Sequence, residues 1–287
     1  MANLTDNRVE TEPNSAHTGR SGAGWKQSSR WCILVLLLLG LVTSLSIVAY
    51  KYVRERIHNM ECGNHLKAIG LALHTYHTQY GVFPPAHFCD EAREPINSWR
   101  TVIVPGRLWY TFPSTYDFTK RWDTPENSRL LAAESEKSQR HFQCPSADSE
   151  SPTITNYVAV VGANTMWPGR EPAKQAADGS DRDKILVIEV INSDILWMEP
   201  RDLTLEQALD AIQPKKGIIG IGSHHRDGVH YVTVGGEVRT LDPSIDREAL
   251  RKLLVREVPK KSLPIATEKS AEPSSPQFSG DRKDLPK

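Results

Sequence analysis

The sequence has no net charge: 35 Lys and Arg residues balance 35 Asp and Glu residues. No global field therefore draws nucleic acid or an acidic partner to it. Phosphate loops, dinucleotide fingerprints and nucleophile elbows are also missing. The nearest approach, Gly220-Ile221-Gly222-Ser223-His224, lacks the G-x-S-x-G spacing, and Ser223 beside His224 is adjacency rather than a triad. The expectation is a protein that is not an enzyme and needs no cofactor. Cysteine is scarce, with only Cys32, Cys62, Cys89 and Cys144, too few for a disulfide framework. The last three allow one disulfide with one thiol left over. Cys89 with Cys144 is the expected pair, because Cys62 is read as lying on a helix close to a membrane; unpaired buried thiols are the alternative.

Charge is absent altogether from Trp31 to Tyr50 (WCILVLLLLGLVTSLSIVAY). At 1.5 Å per residue these twenty residues form a helix long enough to cross a hydrocarbon core of roughly 30 Å. The run lies too far from Met1, and is too long, for an ordinary cleaved signal, and no A-x-A-like site follows it. It predicts a single-pass anchor, with the lipid bilayer as one partner. Orientation is not set by charge: Lys26 and Arg30 precede the run, and Lys51, Arg54 and Arg56 follow it, partly offset by Glu55. That balance leans slightly towards a cytoplasmic domain. Residues 1–30 are polar and aperiodic and read as a disordered leader. The Pro-, Lys- and Ser-rich residues 256–287 read as a disordered tail, which leaves 51–255 for one folded domain.

Within that domain, Leu66, Ile69, Leu73, Tyr76 and Tyr80 recur at spacings of three and four, so the helix continues to Tyr80. Gly81 and Pro84-Pro85 end it. TVIV (101–104), ITNYVAVVG (154–162) and KILVIEVI (184–191) predict strands. Gly235-Gly236 predicts a hairpin turn between HYVTV and EVRTL. Thr204 and Ser244 are the expected caps of two short helices. The fold class is α+β: a long N-terminal helix packed on an antiparallel sheet, with long loops.

Several residues carry possible chemistry. His74 and His77 share a helix face, with His87 and Cys89 just beyond, a spacing compatible with a metal site. His224, His225 and His230 cluster around Asp227. The plainer reading of both groups is packing and solvated loop, so no metal is expected; the alternative, a metal-dependent enzyme, requires His74, His77 and His87, or His224, His225 and His230, to converge. Glu189, alone in an apolar strand, requires a partner, with Arg100 and Arg201 as the candidates. Trp197, Pro200 and Asp202 read as a loop-packing motif, with Asp202 capping a turn. Trp99, Trp109, Tyr110, Tyr116 and Trp122 either cover the sheet or form an exposed row that stacks on sugars. The second arrangement would make this an extracytoplasmic glycan- or ligand-binding domain.

The segment Cys62-Gly-Asn64-His-Leu66-Lys67-Ala-Ile69-Gly70-Leu71-Ala72-Leu73-His74-Thr-Tyr76-His77, continuing to Tyr80-Gly81-Val-Phe83-Pro84-Pro85, resembles a bacterial prepilin-like, pseudopilin-like family, domain of unknown function 1559. Ser98-Trp99-Arg100, Trp122-Asp123-x-Pro125-x-Asn127, Cys144-Pro145-Ser146 and Thr155 to Gly162 resemble further elements of that family. So do Glu189 followed by Trp197-x-x-Pro200-x-Asp202-Leu203, and His225 nine residues before Gly235-Gly236, which has the spacing of its H-x9-D-G element. Gly235 replaces the family's Asp, so any carboxylate role at that position is lost. The resemblance implies a pilin-like domain outside the cytoplasm, the N-terminus inside, a structural or assembly role in the cell envelope, and other pilin-like or envelope proteins as partners. The family's G-F-T-L-x-E type leader motif is missing, because Arg30-Trp31-Cys32-Ile33 leads directly into the apolar run. Leader processing and polymerisation as a major pilin are therefore not expected.

Overall fold

In the computed structural model the described residues are 23–103, 116–133, 142–147, 153–175, 179–242 and 244–257, with the backbone alone for 23–30 and 130–133. The first helix, α1, runs from Ala23 to Tyr80. It contributes to two compact units, Met1–Val53 and Arg54–Lys287.

In the first unit the side chains of residues 31–53 are exposed, Leu36 and Leu37 by about two-thirds. This stretch is long and apolar enough to cross a membrane. Thr43, Ser44 and Ser46 return their hydroxyls to helix carbonyls, to Gly40 O from the first two and to Val42 O from the third. Backbone oxygens inside the turn thus satisfy their polar groups, which makes them tolerable in an apolar helix.

In the second unit the helix presents one face to the core. Cys62, Leu66, Ile69, Leu73 and Tyr76 are buried at alternating spacings of four and three. Gly70 lies where helix and sheet approach most closely: a Cβ there would meet Val232 Cγ2 at 2.8 Å. The helix ends where Gly81 takes φ +72° and donates its N–H to His77 O.

The sheet that receives this face runs β3 (Tyr157–Val158), β5 (Ile185–Ile191), β8 (Val229–Thr233), β9 (Val238–Leu241), antiparallel throughout, with β7 (Gly220–Ile221) also paired to β5. β5 is central and buried along nearly its whole length, which suits its β-branched composition. Apolar clusters cover both faces. One joins Leu66, Ile69 and Leu73 to Val187, Val232 and three tryptophans, Trp99, Trp167 and Trp197. The other joins Val158, Ile188 and Val190 to Leu209, Leu250 and Leu254. The last three come from α4 (Leu205–Asp210) and α5 (Arg247–Leu254), which follow α3 (Pro125–Ala133) in the chain. Smaller pairings are the antiparallel β1 (His87–Cys89) with β2 (Pro95–Ser98), and the parallel β4 (Val160–Val161) with β6 (Leu203–Thr204).

The α+β class, the helix through Tyr80, the central strand and the hairpin with Gly236 at φ +84° agree with the sequence reading. Thr204 caps α4 with a full capping box through Gln207. Three details differ. Thr101–Ile103 belong to a short helix, α2 (Trp99–Ile103), instead of a strand. That turn closes because the Thr101 hydroxyl donates to Ser98 O. The segment 154–162 is split into β3 and β4, which pair with different partners. Finally, α5 is capped by Asp246, whose carboxylate accepts from Ala249 N, while Ser244 bonds Asp242 one turn earlier. Of the expected disordered leader, residues 1–22 lie outside the described residues while 23–30 form the first turns of α1, and nearly all of the expected tail lies outside the described residues.

Candidate functional site

One face of α1 changes character along its length. Glu55, Asn59 and Cys62 precede Leu66 at helical spacing, so the stripe that is apolar deeper in the domain begins with polar and thiol groups. Cys62 is fully buried, and its sulfur lies 3.0 Å from Cys144 Sγ. His225 Nε2 faces both sulfurs, at 3.2 Å from Cys62 and 3.3 Å from Cys144. Glu189 of β5 completes the group: one donor atom from each of the four residues lies within 4.8 Å of the others. All four residues are buried, His225 being the most exposed at 5%. Among the described residues this is the one group of three or more His, Cys, Asp or Glu side chains so arranged.

Cys62 is carried by α1, and the other three members are held from outside the group. Cys144 donates its backbone N–H to Asn156 Oδ1 at 2.9 Å, and Asn156 Nδ2 donates to Val190 O on the strand that carries Glu189. His225 Nδ1 meets Glu55 Oε1 at 2.9 Å, and its backbone N–H donates to Ser223 Oγ. The loop bearing His225 is tied to the helix again by Asp227, which accepts from Arg56 Nη1 and Asn59 Nδ2 at 2.6 and 2.7 Å. Glu189 Oε2 accepts from His230 N at 3.2 Å and lies 3.4 Å from His230 Nδ1. Glu189 Oε1 is fully buried with no hydrogen-bond partner.

The electrostatics follow from this crowding of electron-rich atoms. Cys144 is raised well above the ordinary thiol range, first by its contact with Cys62 and then by burial. Burial pulls His225 down, but the bonds to Cys144 and Glu55 outweigh it and raise its pKa to about 9. The Tyr157 phenol, opposite Glu189 in the sheet register, is raised by burial and then by Cys62, Glu189 and Cys144.

The expected Cys89–Cys144 pair gives way to Cys62 beside Cys144, while Cys89 lies half-buried on β1. The physical reason is the helix stripe, which turns Cys62 into the domain instead of towards its periphery. Glu189 pairs with His230 rather than with Arg100 or Arg201. Arg100 instead forms a fully buried ion pair with Asp202, so Asp202 is an ion-pair partner rather than a simple turn cap. Arg201 goes to Glu199 and Asp194 at the surface.

His74, His77 and His87 do not form the suggested ligand set. His74 and His77 pack on Phe83, and His74 also lies against the Gly236 turn, where burial and then His77 lower its pKa. His87 sits on β1, lowered by burial and by Arg170. Of the second histidine group, His225 and His230 approach the cluster with rings 6.2 Å apart.

The remaining motif residues build the frame. Tyr76 packs on Tyr80 with the rings tilted, Trp197 stacks on Phe142, Pro84 is buried beyond Gly81, with Pro85 half-buried after it, and Asn64 is exposed. Trp99 and Tyr116 are buried in the core, and Trp122 packs against it. The described aromatics therefore form cover rather than an exposed sugar-stacking row; Trp109 and Tyr110 lie outside the described residues.

Residues 52–190 match the model of a family described as a protein of unknown function (DUF1559). No curated protein and no solved structure matches the chain. The matched segment contains Cys62, Cys144 and Glu189, and His225 joins them from beyond it.

Proposed function

We propose that the chain is a pseudopilin-like structural or assembly protein of the cell envelope, anchored by residues 31–50. Its N-terminus is cytoplasmic and its C-terminal domain extracytoplasmic. The observation that carries this reading is the helix Ala23–Tyr80, whose sequence passes from an exposed apolar stretch into a stripe of core residues. Such a helix combines an element suited to lipid with the spine of a folded domain. The match to a family model over 52–190 supports the domain half of the reading.

A non-enzymatic role is favoured by the chemistry of the cluster. Its sulfurs, carboxylate and imidazole are buried in the interior, as in closed structural sites, whereas catalytic zinc centres keep one position open. The test is fractionation of native cells. The full-length chain should stay in the membrane pellet after carbonate washing, and protease added to spheroplasts should remove the domain. Release into the supernatant contradicts the anchor, and full protection of the domain contradicts the orientation.

A further inference from the structure

We infer that Cys62, Cys144, His225 and Glu189 form a buried structural binding site for a single zinc-class divalent cation. Two sulfurs, one imidazole nitrogen and one carboxylate oxygen make a four-donor set of the kind zinc takes tetrahedrally. Thiolates select against hard cations, and the imidazole and carboxylate suit a borderline-soft ion. Bonds of about 2.3 Å to sulfur and 2.0–2.1 Å to nitrogen or oxygen place tetrahedral donors roughly 3.3–3.8 Å apart. Around an ion the two sulfurs, now 3.0 Å apart, would separate by about 0.8 Å, His225 Nε2, at 3.2 and 3.3 Å from them, would move by a few tenths of an ångström, and the Glu189 oxygen, with all donors within 4.8 Å, would draw in.

Two features point beyond a thiol pair. Glu189 Oε1 is fully buried with no partner, a costly arrangement that a cation relieves and a disulfide does not. No Lys or Arg is paired with Glu189 or Glu55 among the described residues, so the charge of the group is not met by a side-chain cation of that kind. The outer contacts also have the form found around metal ligands. Glu55 holds the far nitrogen of His225, Asn156 holds the backbone of Cys144, and His230 holds the other oxygen of Glu189. A bound ion would clamp the helix, the 142–147 segment, the central strand and the 223–228 loop at one point.

The test uses full-length protein purified in detergent without chelator or reductant. Elemental analysis should give about one zinc per chain, as expected of a closed structural site. Cobalt exchange should give the intense visible bands of a tetrahedral ion and a sulfur charge-transfer band. Cys62→Ser and Cys144→Ser should lose both signals. Glu55→Gln, which leaves all four ligands in place, should weaken binding about 10- to 100-fold. If the cysteine variants do not fold, alkylation of the wild-type chain decides the matter. Two protected thiols should become reactive on adding chelator alone. Thiols that appear only after reductant, with a Cys62–Cys144 cross-linked peptide and no bound metal, would overturn the inference. Metal content and membrane fractionation are separate readouts, so the site and the anchor can fail independently.

Discussion

Two of the buried polar groups in the domain differ in how far the protein alone satisfies them. At the first, Arg100 donates through Nε to Tyr157 O, through Nη1 to Ser98 Oγ and through Nη2 to Asp202. Asp202 also accepts from Ala159 N and from Trp99 Nε1. The guanidinium and carboxylate therefore complete each other with backbone and indole groups. At the second, sulfurs and imidazole face one another, and one oxygen of Glu189 has no partner. A satisfied buried network locks a fold, whereas an incompletely satisfied one calls for a ligand. The difference separates a site that is purely architectural from one that we assign to a cation.

Substitutions should break the two groups in distinguishable ways. Arg100→Ala leaves Asp202 buried without its counter-charge and should cost about 3–5 kcal/mol in denaturant unfolding, with no dependence on chelator. Removing metal from the wild-type chain should lower stability by about 4 kcal/mol if free zinc exceeds its dissociation constant a thousandfold. Glu189→Gln should be destabilising only when metal is present. After chelation its cost should vanish or reverse, because the substitution relieves the buried Oε1 that has no partner. Equal losses with and without chelator would dissolve the contrast between the groups. Gly70→Ala tests the helix–sheet contact that frames the cluster: crowding against Val232 should cost about 1–3 kcal/mol by calorimetry. Thr204→Ala, remote from both groups, should lose about 1 kcal/mol from the α4 cap and leave metal content unchanged.

The sequence makes the local parts of this fold readable. Three-and-four spacing identifies the stripe from Leu66 to Tyr76, Gly81 ends the helix, Thr204 with Gln207 marks a cap, and Gly235-Gly236 marks a hairpin. Each signal depends on residues a few positions apart. The site is different, because Cys62 and Cys144 are 82 residues apart and Cys62 and His225 are 163. Nothing local brings them together, although each belongs to a short motif visible in the chain. Two cues were available. Extending the stripe one turn backwards puts Cys62 on the buried face, and Glu189 inside an apolar strand demands a partner. Resolving that demand towards His230 instead of Arg100 required the strand register, which aligns Glu189 with Tyr157 and brings β8 alongside. Thr101–Ile103 depart from the sequence expectation for a related reason: β-branched residues suggest a strand, but the Ser98–Thr101 contact and burial of Trp99 fix a turn.

X-ray absorption at the zinc edge on the full-length protein, purified without chelator, examines the central claim most directly. The account predicts two sulfur ligands at about 2.3 Å and two nitrogen or oxygen ligands at about 2.0–2.1 Å. A shell of light atoms only, or a chain without bound zinc whose Cys62 and Cys144 are joined, would contradict it.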